Sequence, residues 1–243
     1  MTIENTNIEL QSAGHFSELD ELQAVVDRLL PREGVTKVLE AGCGSMSRIH
    51  LGQNVRVVGI DISEQQLERN VSLNEKILGD IQYYDLPSSE YDVIICWDVL
   101  EHLPEPNKAV RNFLKAVKKG GIIVVAAPNV WSTKGLISKF TPHWFHVWAY
   151  QTFFGVKDAG VNGQRPFKTF LRFSIAPQAI KQLARKNSLA VEYCKTYEFQ
   201  MQKNFRKNPL FNILFTFIGI IGKVLSFNKV DLNHTDYIAV LRK

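Results

Sequence analysis

Two glycines form a short turn directly after an apolar run that contains an acid. The run Val38-Leu39-Glu40-Ala41 leads into Gly42-Cys43-Gly44-Ser45. Glycine has no Cβ, so the backbone at Gly42 and Gly44 can turn sharply and approach a ligand closely. Such turns hold nucleotide-containing cofactors in several enzyme classes, but they also occur as purely structural turns. Glu40 could orient the turn or meet a cationic group, so the motif alone leaves the ligand open.

The acid at the end of the next apolar run is placed to bind a ribose. Asp61 ends the run Val55–Asp61 and lies 19 residues after Gly42. A carboxylate at this point can accept hydrogen bonds from both ribose hydroxyls of a nucleotide. The alternative is an N-terminal cap for the helix that follows, a role that also suits Ser63.

A further acid follows the third strand candidate, in Gly79-Asp80-Ile81. The carboxylate of Asp80 can accept a hydrogen bond from an adenine amino group, while Ile81 packs on the ring. Asp85 is the competing acid, and we favour Asp80.

Three histidines are candidates for a catalytic base, because histidine titrates near neutral pH. His102 follows the fourth strand candidate, where the alternative is a structural role in the turn. His143 and His146 lie in a strongly aromatic segment, and if it is helical they share one face with Tyr150. They then either line a pocket for a small molecule or pack as ordinary histidines.

The elements that position these residues alternate between strands and helices. The strand candidates are short, β-branched and apolar on both faces, which is typical of a parallel sheet covered by helices on both sides. Ligands of such doubly wound sheets bind outside the carboxyl ends of the strands. The predicted strands are Lys37–Ala41, Val55–Asp61, Lys76–Gly79, Tyr91–Trp97, Gly121–Ala127, Leu189–Tyr197 and Tyr237–Leu241, with predicted helices beginning at Ser17 and covering Ser63–Asn74, Asn107–Lys118 and Pro177–Lys186.

Residues 131–173, the aromatic segment, interrupt this alternation. They contain 11 of the chain's 26 Phe, Trp and Tyr residues and show no clear period. An irregular segment of this length inside a compact domain is typical of a lid over a functional site. We therefore predict that the aromatic segment is a lid that builds the site of a second, small molecule.

Four motifs in this order resemble those of one enzyme family. They are the glycine turn, Asp61, Gly79-Asp80, and Tyr91–Leu103 with its VLEHL ending followed by Lys118-Lys119-Gly120-Gly121. The succession is similar to class I S-adenosylmethionine-dependent methyltransferases of the ubiquinone/menaquinone-biosynthesis type. The resemblance covers residues 35–130 and, more weakly, 175–200 and 236–243. It implies a Rossmann-like, doubly wound, seven-stranded α/β sheet, mostly parallel with an antiparallel last strand.

The resemblance also implies S-adenosyl-L-methionine as the cofactor and assigns residues to it. Glu40, Ala41, Gly42 and Gly44 would bind its amino-acid part, Asp61 with Ile62 its ribose, Asp80 and Ile81 its adenine, and Trp97 and Asp98 would lie beside its methionine end. Met46 stands where the family often has a third glycine, and the short interval from Gly44 to Val55 leaves room only for a short first helix. A dinucleotide cofactor is disfavoured, since its motif would require a glycine at Ser47.

Methyl transfer from a sulfonium is an in-line displacement in which the donor is already activated. The protein mainly supplies proximity, orientation and a dry site, and no metal is expected. A base is required only where the acceptor loses a proton, as a hydroxyl does. We expect transfer to a small, apolar or lipid-like acceptor, with oxygen slightly favoured as the methylated atom. The alternative is a non-catalytic cofactor-binding or scaffold protein of the same fold.

The charge and cysteine content of the chain indicate which partners and which compartment to expect. The chain has 29 basic and 24 acidic residues, a net charge of +5, and no run of like charges. A nucleic-acid partner is therefore not expected. Three widely spaced cysteines, Cys43, Cys96 and Cys194, and the absence of a signal peptide favour a reducing, cytoplasmic setting.

An apolar stretch near the C-terminus, Leu210–Phe227, has 18 residues and a single charge, Lys223. It is long enough for a transmembrane helix, but one crossing would keep the last strand from returning to the sheet. Its small or polar residues are Asn212, Thr216, Gly219, Lys223 and Ser226, at spacings that form one narrow helical stripe. The wide apolar remainder predicts either contact with a membrane interface or an apolar substrate, or ordinary burial within the fold or against the second subunit of a homodimer. Lys203, Arg206 and Lys207 suit the anionic inner face of a membrane.

We expect one methyltransferase domain over residues 1–243. Residues 1–34 form a helical lead-in, 35–130 the cofactor-binding core, 131–173 the lid, and 174–243 the C-terminal part of the fold.

Overall fold

Seven strands form one sheet at the centre of the computed structural model. They are β1 (Thr36–Ala41), β2 (Val55–Asp61), β3 (Glu75–Leu78), β4 (Tyr91–Trp97), β5 (Val117–Pro128), β6 (Ala190–Tyr197) and β7 (Asp236–Arg242). Their order is β3-β2-β1-β4-β5-β7-β6. Among these strands, β7 runs antiparallel to its neighbours β5 and β6, and the other pairs are parallel. The predicted mixed sheet with an antiparallel last strand is confirmed.

Helices connect the strands and flank the sheet. They are α1 (Phe16–Leu29), α2 (Glu64–Arg69), α3 (Pro106–Ala116), α4 (Thr133–Phe140), α5 (His143–Phe154), α6 (Pro177–Lys186), α7 (Gln200–Arg206) and α8 (Pro209–Leu225), with 3₁₀ turns at Leu100–His102 and Phe173–Ile175. The structure describes residues 16–31, 33–44, 49–52, 54–161, 166–231 and 233–243, with Phe16, Ser17, Phe153, Phe154, Gln200, Met201 and Phe205 described by their backbone alone. Residues 1–15 of the lead-in, Met46 and Ser47 lie outside these residues.

Apolar layers cover both faces of the sheet. Along β4, Ile94 and Cys96 belong to the core cluster that contains Phe113 of α3, whereas Val93 and Ile95 belong to the cluster that contains Val26 of α1. Alternate residues of a strand point to opposite faces, so a strand buried on both sides must be apolar throughout. This requirement explains the continuous apolar runs of the sequence.

The helix after β2 is shorter than predicted. It was expected over Ser63–Asn74 but ends at Arg69. Where the last turns were expected, asparagine side chains bond backbone N–H groups. Oδ1 of Asn70 accepts from the Ser72 N–H at 3.2 Å, and Oδ1 of Asn74 accepts from the Val57 N–H at 2.7 Å. Such side chains compete with the helix for backbone groups.

The fifth strand begins earlier than predicted, at Val117 rather than Gly121. The pairing register with β4 shifts between Tyr91 and Val93, and Gly120 adopts a φ of +82°. The expected helix over Asn107–Lys118 therefore ends at Ala116, and the following residues join the strand through an irregular turn.

The aromatic segment also contains more regular structure than expected. It forms α4 and α5, although the sequence predicted an irregular lid without a period. Since α5 has aromatic or apolar residues around most of its circumference, its helical period is weak in the sequence.

A buried hydrogen bond ties β7 to the turn before α6 and gives a stability prediction. The hydroxyl of Tyr237, which is fully buried, donates to the Ile175 carbonyl at 2.6 Å. Tyr237→Phe leaves this carbonyl without its donor, so we expect the free energy of unfolding to fall by about 1–3 kcal/mol in urea titrations. Tyr193→Phe is the control, because its hydroxyl bonds Glu21 at an exposed site, and it should change stability by less than about 0.5 kcal/mol. Equal losses in both variants would contradict the prediction.

Candidate active site

The glycine turn lies at the carboxyl end of β1, next to the end of β4. Gly42 has a φ of +69°, and an added Cβ would overlap the methyl groups of Val99. Gly44 has a φ of +54°, but an added Cβ would meet no described atom within 4 Å. Gly42 is thus required by the packing of two strand ends, and Gly44 borders open space. The turn has the conformation and the room that a closely bound ligand needs.

Asp61 joins the end of β2 to this turn. Its Oδ2 accepts from the Gly44 N–H at 3.0 Å and its Oδ1 accepts from the Ser63 N–H at 2.9 Å. Ser63 is the N-cap of α2, so Asp61 is not needed for the capping role that was its alternative interpretation. The carboxylate is therefore held beside the glycine turn, where the sequence placed the ribose.

The next acid, Asp80, is half-buried at the end of β3. Its carboxylate accepts from the backbone N–H of Gln82 at 2.8 Å and from the Gln82 side chain. The competing acid, Asp85, pairs with Lys115 and its side chain is 93% exposed. The choice of Asp80 stays a prediction.

The apolar partner for an adenine ring differs from the sequence expectation. Ile81 is only 3% exposed and belongs to the core, whereas Ile62, directly after Asp61, is 74% exposed. Ile62 is therefore the better placed of the two to pack on a planar ring at this edge.

The end of β4 combines backbone strain with burial. Asp98 is exposed and has a φ of +54°, and its N–H donates to the Ala126 carbonyl at 2.9 Å. Non-glycine residues in this conformation concentrate at functional sites. Trp97 beside it is half-buried, and Glu40 at the end of β1 is 4% exposed. These predicted cofactor residues thus lie at one edge of the sheet.

A charged cluster that the sequence analysis did not identify surrounds Asp98. Glu101 is 4% exposed, and its Oε2 meets no hydrogen-bond donor among the described residues. Burial, and then the nearby charge of Asp98, raise the pKa of Glu101 well above its usual value. Glu101 is part of the VLEHL motif, but its burial was not visible in the sequence.

Lys134 brings a cation to the same cluster. Its Nζ lies 3.3 Å from Oδ2 of Asp236 and 5.0 Å from the centre of the Phe199 ring. Burial lowers the pKa of Lys134, but Asp236, Tyr150 and Asp98 outweigh this effect, so its pKa is raised and the side chain is a cation. The antiparallel pairing of Pro128 with Asp236 creates this contact between residues about a hundred positions apart.

The aromatic segment folds back over the turn that follows β4. The Phe170 and Leu171 N–H groups donate to the Glu101 carbonyl at 2.8 and 3.0 Å. Trp131 and Phe173, at the two ends of the segment, pack with ring centres 4.6 Å apart. The segment therefore closes on itself beside the Asp98 cluster, although its role as a lid stays a prediction.

The three candidate histidines lie in different surroundings. Nδ1 of His102 donates to the Lys168 carbonyl at 2.8 Å, and Nε2 lies 3.8 Å from Oε1 of Glu101. Nε2 of His146 lies 2.9 Å from Oγ1 of Thr141 in the turn between α4 and α5, and burial lowers its pKa. His143 is exposed at the start of α5. Of the three, His102 follows directly on the strand end that carries Asp98.

Comparison with known proteins places the chain in a family. Residues 14–192 match the family described as Methyltransferase domain. A ubiquinone biosynthesis O-methyltransferase of Thiobacillus denitrificans is 32% identical over 128 residues, which cover 47% of this chain and 55% of that protein. One of Pseudomonas fluorescens is 32% identical over 104 residues, covering 38% and 44%. The chain spans about half the length of these curated relatives.

Solved structures share the fold at low sequence identity. An S-adenosylmethionine-dependent methyltransferase from Mesorhizobium loti aligns with a TM-score of 0.51 at 14% identity, covering 96% of this chain and 100% of that one. The [4+2]-cyclase SpnF aligns with a TM-score of 0.51 at 15% identity, covering 92% and 81%. These similarities concern the fold alone.

The strand order and the motif-bearing edge define a class I methyltransferase fold. With the family match over residues 14–192, the chain belongs to the S-adenosylmethionine-dependent methyltransferases. The predicted family and cofactor are confirmed. The residues present also fit that cofactor, since no described atom lies within 4 Å of the position of a Cβ on Gly44 and the exposed Ile62 adjoins Asp61.

The assignment of the ribose site predicts a binding defect. Asp61→Ala removes a charged hydrogen-bond acceptor, so the Kd for S-adenosylmethionine should rise roughly 5- to 150-fold, equivalent to about 1–3 kcal/mol. Isothermal titration calorimetry measures this change. Asp85→Ala, which removes an exposed acid paired with Lys115, is the control and should bind like the parent. Unchanged affinity in Asp61→Ala would remove Asp61 from the site.

The buried carboxyl group predicts a pH-dependent stability. Because the pKa of Glu101 is higher in the folded state, its contribution to stability is complete below the unfolded value of about 4.3 and is lost as the pH rises through the folded pKa. Glu101→Gln cannot ionise. The difference in Tm between the variant and the parent should therefore grow in the variant's favour from about pH 5 to about pH 8. A difference that stays constant over this range would show that Glu101 ionises normally.

Proposed function

We propose that this chain transfers the methyl group of S-adenosylmethionine to a hydroxyl oxygen of a small, apolar acceptor. The observation that carries the proposal is the position of His102. Its ring is fixed by a hydrogen bond to the Lys168 carbonyl, and it follows the end of β4, next to Asp98. The naming of similar proteins as O-methyltransferases supports oxygen as the accepting atom.

The hydrogen bonds of His102 prepare it to accept a proton. Since a carbonyl oxygen can only accept, Nδ1 must carry the proton that bonds to Lys168. In the neutral ring Nε2 is then the basic nitrogen. Nε2 of His102 would accept the proton that the acceptor hydroxyl loses when its oxygen is methylated. S-adenosylmethionine supplies the activated methyl group.

The surroundings of His102 suit an apolar acceptor that carries a polar end. The ring of Phe167 contacts His102 edge-on, with ring centres 5.8 Å apart, and Trp131 and Phe173 add aromatic surface at the ends of the segment. On the polar side, the cation of Lys134 lies in the field of Asp98 and Asp236. This cation would stabilise negative charge that develops on the attacking oxygen.

A turnover assay tests the proposal directly. The purified chain is incubated with S-adenosylmethionine and a panel of phenols and catechols, with and without isoprenoid chains. Mass spectrometry then detects the methylated product and S-adenosylhomocysteine. We expect O-methylation that is strongest for acceptors with an apolar chain. Cofactor binding without turnover on any acceptor would favour the non-catalytic alternative, since a shared fold does not fix the function.

The role of the base predicts different effects for two histidines. His102→Gln should lower kcat by about 10²–10⁴-fold, the usual contribution of a general base, with little change in the Kd for S-adenosylmethionine. The rise of kcat with pH that reports the imidazole should disappear in this variant. His146→Gln, whose ring is bonded within the α4–α5 turn, is the matched control and should keep a kcat near the parent's. The reverse result would make His146 the base.

A further inference from the structure

The helix α8 exposes a stripe of large apolar side chains on its outer face. Large apolar residues recur at helical spacings of three and four along it and are 44–76% exposed. They are Leu210, Ile213, Leu214, Phe217, Ile220, Ile221, Val224 and Leu225. Phe211, Phe215 and Ile218 of the same helix are half-buried, so α8 is apolar on both faces. A surface helix ordinarily has a polar outer face, and α8 instead exposes an apolar stripe there.

The opposite face explains the orientation. Gly219 is buried, and a Cβ on Gly222 would lie 3.1 Å from Leu136 of α4 and 3.5 Å from Val230. The side chain of Asn212 accepts from Nε of Arg206 at 3.2 Å. Of the small and polar stripe predicted from the sequence, Gly219 is buried, whereas Thr216 and Lys223 are exposed. The apolar stripe remains outside as one continuous surface, larger in extent than the scattered apolar residues of ordinary surfaces.

From this surface and the charges around it we infer that α8 docks the protein on an anionic lipid bilayer. No acidic residue lies between Glu198 and Asp231, whereas this interval contains five Lys or Arg residues. Lys207, Lys223 and Lys229 are exposed, and Lys203 is half-buried. Cations beside an exposed apolar stripe match both the headgroups and the acyl region of an anionic membrane surface.

Arg206 differs from the other cations of this interval. Its guanidinium donates to Glu198 at 3.2 Å and to the Asn233 side chain at 3.0 Å. It therefore holds the two ends of the α7–α8 unit together, and its replacement would test the fold rather than lipid binding.

A second copy of the chain fits the stripe less well. In a two-fold dimer the same surface would meet itself, so the cations of both copies would come together without acids to neutralise them. A spanning helix does not fit either, because within the described residues no helix is both long and apolar enough to cross a bilayer. The surface is thus suited to lie on a membrane.

The docked orientation has a consequence for the site. Helix α8 packs on α4, whose first turn carries Lys134 beside Asp98. The proposed acceptor site lies at this edge of the sheet, so docking would hold that site near the lipid. This consequence rests on the proposed function, but the docking itself does not.

Flotation of the full chain with vesicles, without cofactor or acceptor, tests the docking. We expect the protein to float with vesicles of phosphatidylglycerol and phosphatidylcholine, to float little with phosphatidylcholine alone, and to dissociate at high salt. Binding that is equal for both vesicle types, or that is absent from both, would overturn the inference.

Two sets of variants separate the contributions. Ile213→Glu/Val224→Glu should abolish flotation, whereas Val71→Glu, which changes a side chain 93% exposed elsewhere on the surface, should not. Lys203→Gln/Lys207→Gln/Lys223→Gln should weaken binding on the order of 100-fold, from about 1 kcal/mol per residue. The matched control Lys119→Gln/Lys157→Gln/Lys186→Gln should bind like the parent.

Two further measurements separate lipid docking from misfolding and from dimerisation. Unchanged Tm values show that the exposed substitutions leave the fold intact. Analytical ultracentrifugation addresses the competing occupant of the stripe. A dimer that Ile213→Glu/Val224→Glu dissociates, together with no flotation of the parent, would assign the stripe to a second copy and overturn the lipid inference.

Discussion

The close packing of Gly42 against Val99 holds together the edge on which the site depends. Because β1 and β4 are neighbours and parallel, their carboxyl ends emerge side by side. Only a residue without a Cβ can pass Val99 with a φ of +69°. The contact brings the cofactor turn beside the strained backbone of Asp98, and the other elements of the site assemble around this pair.

Charge is distributed unevenly over this edge. The half-buried Asp61 and the exposed Asp98 lie at the edge where the nucleoside and methionine ends of the cofactor would lie, while Glu101 is buried. Burial and the charge of Asp98 together favour a protonated Glu101. Lys134 then carries the positive charge of the cluster, held by Asp236 from the antiparallel strand. The C-terminal part of the chain thus contributes to the site through one strand.

The aromatic segment and α8, which are added to the central sheet, both lie near the same edge. The aromatic segment returns to hydrogen-bond the Glu101 carbonyl, and α8 lies on α4 through its small residues. Both additions therefore connect to the turn after β4 or to the helix after β5. This arrangement links a site for a small molecule with an apolar outer surface within one domain.

The sequence by itself determined the sheet, the family and the cofactor motifs. Local signals sufficed for these features, since continuous β-branched runs require burial on both faces and Gly42, Asp61 and Asp80 follow directly on strand ends. The boundaries of β2 and β4 agree with the prediction residue for residue. The helix after β2 is shorter than predicted because the side chains of Asn70 and Asn74 compete for backbone hydrogen bonds. Helix propensity alone does not show whether the side-chain or the helical hydrogen bonds form.

Only the tertiary structure decided which side chains are buried together and which way a helix faces. The ion pair of Lys134 with Asp236 depends on strand pairing across the chain, and the burial of Ile81 against the exposure of Ile62 depends on packing. The apolar pattern of α8 is the same whether its stripe faces the core or the solvent. Its orientation follows from the close approach that Gly222 allows to Leu136, a contact between helices that no local pattern specifies.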